Sequence, residues 1–248
     1  MSDRLHSILS ILEVNAATSV RLGKLWIPAK QLETSLSRYS HALICVSEEI
    51  VSYPYAFRGS STALRFSNKS FLYCCRHQLD GMDFRNICIS PKYDFSQNLV
   101  SGSAFISVNV PQHDQTEAFE DVYCFAYNTK QYGISNFEKE FFEVEEKDIW
   151  PKNTTNFLMT FGFPTSEKEF GMDEAEEKLT RMHFRQHVIK ANYSESFKTS
   201  NKYYHKADLL KSTIFDFDGM SGAPVFHLGK DELGYFIGLA GIITRGGR

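Results

Sequence analysis

The chain has 248 residues, of which 42% are hydrophobic and 23% charged, as in an ordinary globular protein with one large domain or two small ones. Its 27 basic and 30 acidic residues nearly balance, and the formal net charge is −3. This balance excludes the basic stripe that nucleic acid or an acidic membrane surface attracts, so we expect neither partner. No stretch approaches the roughly 18 consecutive apolar residues of a membrane helix.

The cysteine content indicates a reducing compartment. Five cysteines give an odd count, and most of them lie in apolar, strand-like runs. They are Cys45, Cys74, Cys75, Cys88 and Cys124. Free buried thiols explain this pattern better than a disulfide framework. The first residues also lack the basic leader and long apolar run of a secretion signal, so we expect a cytoplasmic location.

The N-terminal part of the chain predicts helices. Apolar residues recur at helical spacing over residues 4–12, and a second short helix is predicted over about 29–38. We therefore expect an N-terminal helical extension over residues 1–38.

From residue 39 onward the pattern is that of short strands. Runs rich in β-branched and aromatic residues alternate with turn-forming residues, which is typical of a barrel or sandwich. The runs cover residues 41–46, 62–66, 70–75, 86–90, 104–110 and 121–127. Further runs follow at 157–164, 212–217, 223–228 and 235–244. The polar segment 165–210 is interpreted as partly helical or as an extended surface insertion, its charges forming a solvated face.

The most informative local sequence is Gly219-Met220-Ser221-Gly222-Ala223-Pro224, between two strand-like runs. Glycine permits backbone conformations closed to other residues, so this loop can hold one hydroxyl outward. In such a loop the N–H groups of Gly219 and Ser221 can converge on one point. Two converging donors are what a tetrahedral oxyanion needs.

A serine hydroxyl is a poor nucleophile unless a base removes its proton, and that base is usually a histidine oriented by a carboxylate. His77 follows the apolar run FLYCC, and Asp121 opens the apolar run VYCFAY. The chain order is His, Asp, Ser. Among the orders that unrelated triad enzymes use, this one belongs to the chymotrypsin arrangement.

These features resemble the trypsin-like (chymotrypsin-fold) serine peptidases, especially bacterial and intracellular members without disulfides. The residues 59–64 before the histidine strand, the Phe161–Pro164 segment, the serine motif 219–224 and the segment Gly241–Gly246 all fit that family's pattern. The resemblance covers roughly residues 40–248, about four-fifths of the chain, which suits a single domain of this size.

The resemblance implies an all-β fold of two antiparallel β-barrels, the first over about 39–130 and the second over about 131–248. It implies that His77, Asp121 and Ser221 form the catalytic triad and that the Gly219 and Ser221 N–H groups form the oxyanion hole. It also implies that Thr244, Arg245 and Gly246 bind the substrate backbone by β-pairing. No cofactor or metal is expected, and the partner is a protein or peptide substrate, with a partner protein or a further domain as a second possibility.

Three departures from the family pattern have consequences. Met220 replaces the acid that pairs with a freed N-terminus in secreted members, which suggests no activation of that type. Phe215 stands where the trypsin subgroup has an acid at the pocket floor, so a small or apolar substrate residue is expected instead of Lys or Arg. The chain stops at Arg248, where relatives continue. The second barrel is therefore expected to be incomplete, closed by the N-terminal segment, or part of a longer protein.

Several residues have alternative interpretations. Asp83, Asp94 and Asp114 also lie near predicted strand ends, and Asp114 is the first substitute for Asp121. Cys74, Cys75 and His77 lack a second ligand pair at zinc spacing, so the sequence predicts no metal site. Cys75 as a nucleophile and a functional His183/His187 pair are both less favoured than structural roles. These residues are Cys74, Cys75, Asp83, Asp94, Asp114, His183 and His187.

Three functions compete. The first is an active serine endopeptidase that works through an acyl-enzyme. The second is a catalytically silent binding or regulatory module on the same fold, because a fold does not fix a function. The third is an esterase, which is disfavoured because the G-x-S-x-G elbow and the matching residue order are absent.

Overall fold

The protein is largely β-sheet. The computed structural model describes residues 18–47, 54–79, 81–92, 98–107, 121–146, 149, 154–173, 175, 178–194, 205–211 and 216–244. The strands are, in chain order, β1 (Ser19–Leu22), β2 (Leu25–Pro28), β3 (Ser40–Val46), β4 (Tyr55–Phe66), β5 (Lys69–Cys75), β6 (Ile87–Ile89), β7 (Val100–Ser101), β8 (Ala104–Ser107), β9 (Val122–Tyr127), β10 (Phe142–Glu143), β11 (Thr154–Gly162), β12 (Lys168–Asp173), β13 (Lys178–Phe184), β14 (His187–Tyr193), β15 (Ala207–Lys211), β16 (Pro224–Asp231) and β17 (Gly234–Ile242).

Helical structure is limited to short segments in the described residues. The one α-helix there is α1 (Leu32–Ser37), and the 3₁₀ turns are Ala29–Gln31, Arg76–Gln78, Phe84–Asn86, Phe137–Glu140 and Thr165–Glu167. Among these segments, none has the length and apolar character that crossing a bilayer requires.

The first sheet has eight strands, β3 to β10. Its order is β7-β6-β3-β4-β5-β9-β8, and β10 pairs in parallel with β4 beside this path. The strands alternate inward and outward side chains, and the inward ones form an apolar core that includes Leu43, Leu72, Ile87 and Phe125. The β5–β9 pairing joins Cys75 with Val122, so the two strand ends that carry His77 and Asp121 lie side by side.

The second sheet has seven strands in the order β15-β14-β11-β16-β17-β1-β2. All its pairings are antiparallel except that of β1 with β17. Its core contains Phe161, Phe226 and Ile237, and α1 contributes Leu36. The all-β class is confirmed. Neither strand order returns to its first strand in the described residues, so the prediction of two closed barrels is not confirmed.

Two predictions about local structure are wrong, and one is confirmed. Residues 19–28 were assigned to a helical extension, yet they form β1 and β2, because Gly23 at φ +57° makes the turn between two short strands. The short helix predicted over about 29–38 is confirmed by the 3₁₀ turn and α1. The helix predicted over 4–12 lies outside the described residues.

The helical interpretation of 165–210 is also wrong where the structure describes it. β12 and β13 form a separate two-stranded sheet, and β14 and β15 extend the second sheet. The alternating exposure of β14, with Ile189 and Ala191 buried, shows the period of a strand that is covered on one face.

Candidate active site

His77 and Asp121 are held together by their backbones as well as by their side chains. His77 lies in the 3₁₀ turn that follows β5, and Asp121 immediately precedes β9. The Arg76 N–H donates to the Asp121 carbonyl at 2.9 Å, and the His77 N–H donates to Asp121 Oδ1 at 3.2 Å. The antiparallel pairing of β5 and β9 therefore fixes both residues at one edge of the first sheet.

The His77 ring is oriented by the carboxylate. Its Nδ1 lies 2.9 Å from Oδ1 and 3.0 Å from Oδ2 of Asp121. A carboxylate only accepts hydrogen bonds, so Nδ1 carries the proton and Nε2 has a free lone pair. The His77 side chain is 46% exposed and that of Asp121 is 16% exposed. This is the arrangement in which Nε2 can act as a general base toward a group in solvent.

The serine loop is shaped by two glycines. Gly219 has φ +86° and Gly222 has φ +83°, in the region that disfavours other residues. A Cβ on Gly219 would lie 2.5 Å from the Phe163 carbonyl oxygen, and one on Gly222 would overlap the carbonyl oxygen of Ser60. Both glycines are therefore required by close backbone approach as well as by conformation.

β4 supports the serine loop through its hydroxyl groups. Ser60 Oγ donates to the Gly219 carbonyl at 2.7 Å, and Thr62 Oγ1 donates to the Gly222 carbonyl at 2.6 Å. Both hydroxyls are buried, as is the loop residue Met220, which clusters with Ile189 and Ala223. The loop that carries Ser221 is thus fixed to both sheets.

Two loop N–H groups stand out because they have no acceptor. The N–H groups of Met220, Gly222 and Ala223 donate to backbone carbonyls at 2.7–3.0 Å. Those of Gly219 and Ser221 find no acceptor within the part of the chain that the structure describes. They are the two donors that the sequence predicted for an oxyanion hole.

Gln78 joins the histidine turn to the serine loop. Its Nε2 lies 2.9 Å from the Ser221 carbonyl oxygen and 3.1 Å from that of Ser60, and its Oε1 accepts from the Cys75 N–H at 2.6 Å. One nearly buried amide therefore links the two sides of the site. No sequence pattern indicated this role, since a glutamine next to a histidine is not distinctive.

The His77 ring and the Ser221 hydroxyl, both described, make no hydrogen bond to each other in this structure. The side chain of Gln78, the residue after His77, nevertheless donates a hydrogen bond to the Ser221 carbonyl. Ser221 is only partly buried. In proteins without bound substrate such a bond is often long and forms only in the complex.

Of the four predicted substrate-binding residues, the structure describes one. Thr244 lies just after β17 and is partly buried, whereas Phe215, Arg245 and Gly246 lie outside the described residues. Asp83, an alternative to Asp121, has a structural role: it caps the 3₁₀ turn Phe84–Asn86 and pairs with Arg85.

Of the remaining alternative site residues, some lie outside the described residues and the others are placed by the structure. Asp94 and Asp114 lie outside the described residues. His183 and His187 lie on β13 and β14 instead of one helix, and His187 Nε2 is 3.4 Å from a Glu167 carboxylate oxygen. All five cysteines are free and buried, as predicted.

Cys75 lies beside the His77–Asp121 pair. Its thiol, together with a His77 ring nitrogen and an Asp121 carboxylate oxygen, forms a group of potential ligand atoms within 4.8 Å of one another. Burial, with the Asp121 charge acting in the same direction, raises the pKa of the Cys75 thiol to about 12. The thiol is therefore protonated and unreactive as a nucleophile at neutral pH.

Neither a protein-family model nor a curated protein sequence matches the chain. Among solved structures, the scabies mite inactivated protease paralogue S-I1 is 11% identical, with 84% of this chain and 92% of that chain covered and a TM-score of 0.44. The paralogue S-D1 from the same mite is 11% identical, with 82% and 86% covered and a TM-score of 0.42. Similarity at this level does not establish a shared activity.

Proposed function

We propose that this protein is a serine endopeptidase with Ser221 as nucleophile, His77 as base and Asp121 as the orienting carboxylate. The single observation that carries the proposal is the His77–Asp121 hydrogen bond at 2.9 Å, next to a glycine-shaped loop that presents a serine. The two unclaimed N–H groups of Gly219 and Ser221 support it independently.

The reaction follows from these positions. Ser221 Oγ attacks the carbonyl carbon of the scissile amide while its proton passes to His77 Nε2. The negative oxygen of the tetrahedral intermediate accepts from the Gly219 and Ser221 N–H groups, and one such donor contributes about 3 kcal/mol in enzymes where it was removed. The C–N bond then breaks as Nε2 returns the proton to the leaving amine. Water hydrolyses the resulting acyl-enzyme by the same steps.

Asp121 does not accept a proton in this scheme. It holds the Nδ1–H tautomer and stabilises the imidazolium that forms when Nε2 takes the serine proton. For proton transfer, Ser221 Oγ and His77 Nε2 must approach to about 3 Å. We expect substrate binding to bring about this contact, because the backbone is already fixed by Gln78 and the side chains can still rotate.

Substrate contacts are part of the proposal. The segment after β17, with Thr244, Arg245 and Gly246, pairs with the extended substrate backbone, a mode that needs no particular side chain. Phe215 contributes to a pocket that prefers a small or apolar residue over Lys or Arg. A protein or peptide in the cytoplasm remains the predicted substrate.

A catalytically silent binding module is the second candidate. It is favoured by the lack of a hydrogen bond between the Ser221 hydroxyl and the His77 ring in the described structure. A module of this kind would keep the cleft for binding but would not transfer the Ser221 proton to His77.

A fluorophosphonate probe separates the two candidates, because it labels only a serine that a base has activated. We expect labelling of the wild-type protein and none of Ser221→Ala or His77→Ala. Asp121→Asn should slow labelling by several orders of magnitude, since the same change in a known triad enzyme costs about 10⁴-fold. Asp83→Asn is the matched control, because Asp83 is an exposed aspartate occupied by Arg85, and it should label at the wild-type rate.

Two results contradict the peptidase proposal. Equal labelling of wild type and Ser221→Ala would show that the probe reacts elsewhere. An unlabelled wild-type protein that is folded by circular dichroism would favour the binding module.

A further inference from the structure

Three chemically different ligand groups meet beside the proposed base. The thiol of Cys75, a ring nitrogen of His77 and a carboxylate oxygen of Asp121 all lie within 4.8 Å of one another, and Nδ1 is the ring nitrogen that faces Asp121, at 2.9 Å. Cys75 ends β5, and Asp121 is brought to it by the β5–β9 pairing. The sequence predicted no metal site because Cys74, Cys75 and His77 lack a second ligand pair at zinc spacing. The third group of this cluster, Asp121, lies 44 positions from His77.

We propose that Cys75, His77 and Asp121 bind a zinc ion, and that this ion switches the proposed peptidase off. Thiolate, imidazole and carboxylate are the ligands that zinc takes in proteins, and three protein ligands leave the fourth tetrahedral position for water. The thiolate favours zinc over magnesium or calcium, which prefer oxygen ligands alone.

The geometry requires two small adjustments: the 2.9 Å between His77 Nδ1 and Asp121 Oδ1 must widen, and the longer distances in the group, up to 4.8 Å, must shorten. Zinc–ligand bonds of about 2.0–2.3 Å in a tetrahedron place the ligand atoms about 3.3–3.8 Å apart. His77 is the member that can move, since it is 46% exposed while Cys75 is fully buried. The ion therefore enters from the solvent side of the imidazole and displaces the proton that now joins Nδ1 to Asp121.

Binding the ion changes the protonation of the site. The Cys75 thiol loses its proton to solvent, because a metal ion at bonding distance makes a coordinating thiol deprotonate. The Nδ1 lone pair is taken by zinc, so the imidazole proton moves to Nε2. One proton is released in total for each ion that binds a protein with neutral His77.

This redistribution explains the inhibition. An imidazole with zinc on Nδ1 and a proton on Nε2 has no lone pair for the Ser221 proton, so it cannot act as a base. Asp121 is also withdrawn from its orienting role. The inhibitory part of the inference rests on the proposed function, whereas the binding of the metal does not.

Cobalt(II) tests the metal site without any use of activity. Added to the reduced full-length protein in place of zinc, it should give the near-ultraviolet thiolate charge-transfer band and the visible bands of a tetrahedral cobalt site. Zinc should then remove both by displacement. Cys75→Ser should lose the charge-transfer band, and His77→Ala should lose the tetrahedral visible bands.

Cys74→Ser is the matched control, because Cys74 is the neighbouring and equally buried thiol outside the group of ligand atoms. It should keep both bands. No thiolate band in the wild-type protein, or the same band in Cys75→Ser, would overturn the metal site. Should Cys75→Ser fail to fold, His77→Ala decides, since its side chain is exposed and a wild-type spectrum there would refute the assignment.

Inhibition is tested separately by the fluorophosphonate rate of each protein with zinc and with a chelator. We expect zinc to slow labelling of wild type and Cys74→Ser at least 10-fold and to leave the rate of Cys75→Ser at its own zinc-free value. A wild-type protein that binds cobalt but labels equally with and without zinc would refute the switch alone. A protein that binds cobalt and never labels would refute the peptidase and keep the metal site.

Discussion

The side-chain amide of Gln78 donates a hydrogen bond to the carbonyl oxygen of Ser221 at 2.9 Å, although the two residues lie 143 positions apart. Gln78 follows the proposed base and reaches the backbone of the proposed nucleophile. The relative position of the two proposed catalytic segments therefore depends on a residue that takes no part in the proposed chemistry.

Replacing Gln78 should damage both stability and labelling. Gln78→Ala removes the side-chain donor of the Ser60 and Ser221 carbonyls and the side-chain acceptor of the Cys75 N–H, although the Ser221 carbonyl still accepts from the Ser60 N–H at 3.2 Å. Each buried hydrogen bond lost costs about 0.5–1.5 kcal/mol. We expect a lower midpoint of denaturation and, under conditions where the variant is fully folded, a labelling rate reduced at least 10-fold.

Gln186 offers a matched control for this change. Its amide also donates to backbone carbonyls, those of Ser37 and Ser40, but away from the serine loop. Gln186→Ala should lower stability and leave the labelling rate of the folded protein unchanged. Equal labelling of the two variants would show that Gln78 does not position the site.

Gly222 should tolerate no side chain. Gly222→Ala requires a positive φ, which costs about 1–2 kcal/mol, and its Cβ would also overlap the Ser60 carbonyl. Gly81→Ala is the matched control, because Gly81 has φ +76° with no atom near its Cβ position. By urea denaturation, Gly222→Ala should lose clearly more stability than Gly81→Ala; equal losses would mean that the close approach is absent.

His41 should make the protein sensitive to acid. It is buried next to Glu140, whose carboxylate lies 3.6 Å from Nε2. Burial, reinforced by the charge of Lys92, lowers the pKa of His41 to about 3. Because the unfolded value is about 6.5, the folded state keeps the ring neutral, and the stability contributed in this way is present above about pH 6.5 and lost as the pH falls toward 3.

The sign of this effect can be measured with His41→Gln. Between about pH 7 and pH 5 the wild-type protein should lose about 2 kcal/mol more unfolding free energy than the variant, since one pKa unit corresponds to about 1.4 kcal/mol. His183→Gln, a change of an exposed histidine, should follow the wild-type pH profile. A His41→Gln profile parallel to wild type would contradict the assignment.

The thiols should be hidden from reagents in the folded protein. All five are buried, and burial raises the pKa of Cys75 to about 12 and those of Cys88 and Cys124 to about 11. A thiol-reactive dye in metal-free buffer should therefore react slowly with the native protein and rapidly with five thiols in denaturant. A fast-reacting native thiol would show that one of these residues is exposed in solution.

The sequence predicted that His77 and Asp121 meet from the chain order His, Asp, Ser and from the family resemblance, with His77 after one apolar run and Asp121 at the start of another. Adjacent antiparallel strands bring such ends together, and this is what β5 and β9 do. It could not predict Gln78 or the His41–Glu140 contact, because each depends on segments that only tertiary packing brings into reach.

The two wrong predictions of secondary structure also have physical causes. Residues 19–28 form strands of four residues each, too short for the period of alternation to be distinguished, and their β-structure depends on pairing with β17. In 165–210 the density of charges suggested a partly helical segment or an extended surface insertion with a solvated face. The strands β12 and β13 are instead stabilised by each other, with a register shift at Gly171 that disturbs the alternation.

The parallel contact between β1 and β17 gives the protein a built-in order of assembly. Arg21 forms an ion pair with Asp231, 210 positions further along the chain, so this part of the sheet can form only when almost all of the described chain has been synthesised. Contacts between such distant residues form slowly. The Gly222 N–H also relies on the carbonyl of Ile243, just after β17. We therefore expect the serine loop of a nascent chain to stay unordered until the last described strand has emerged from the ribosome.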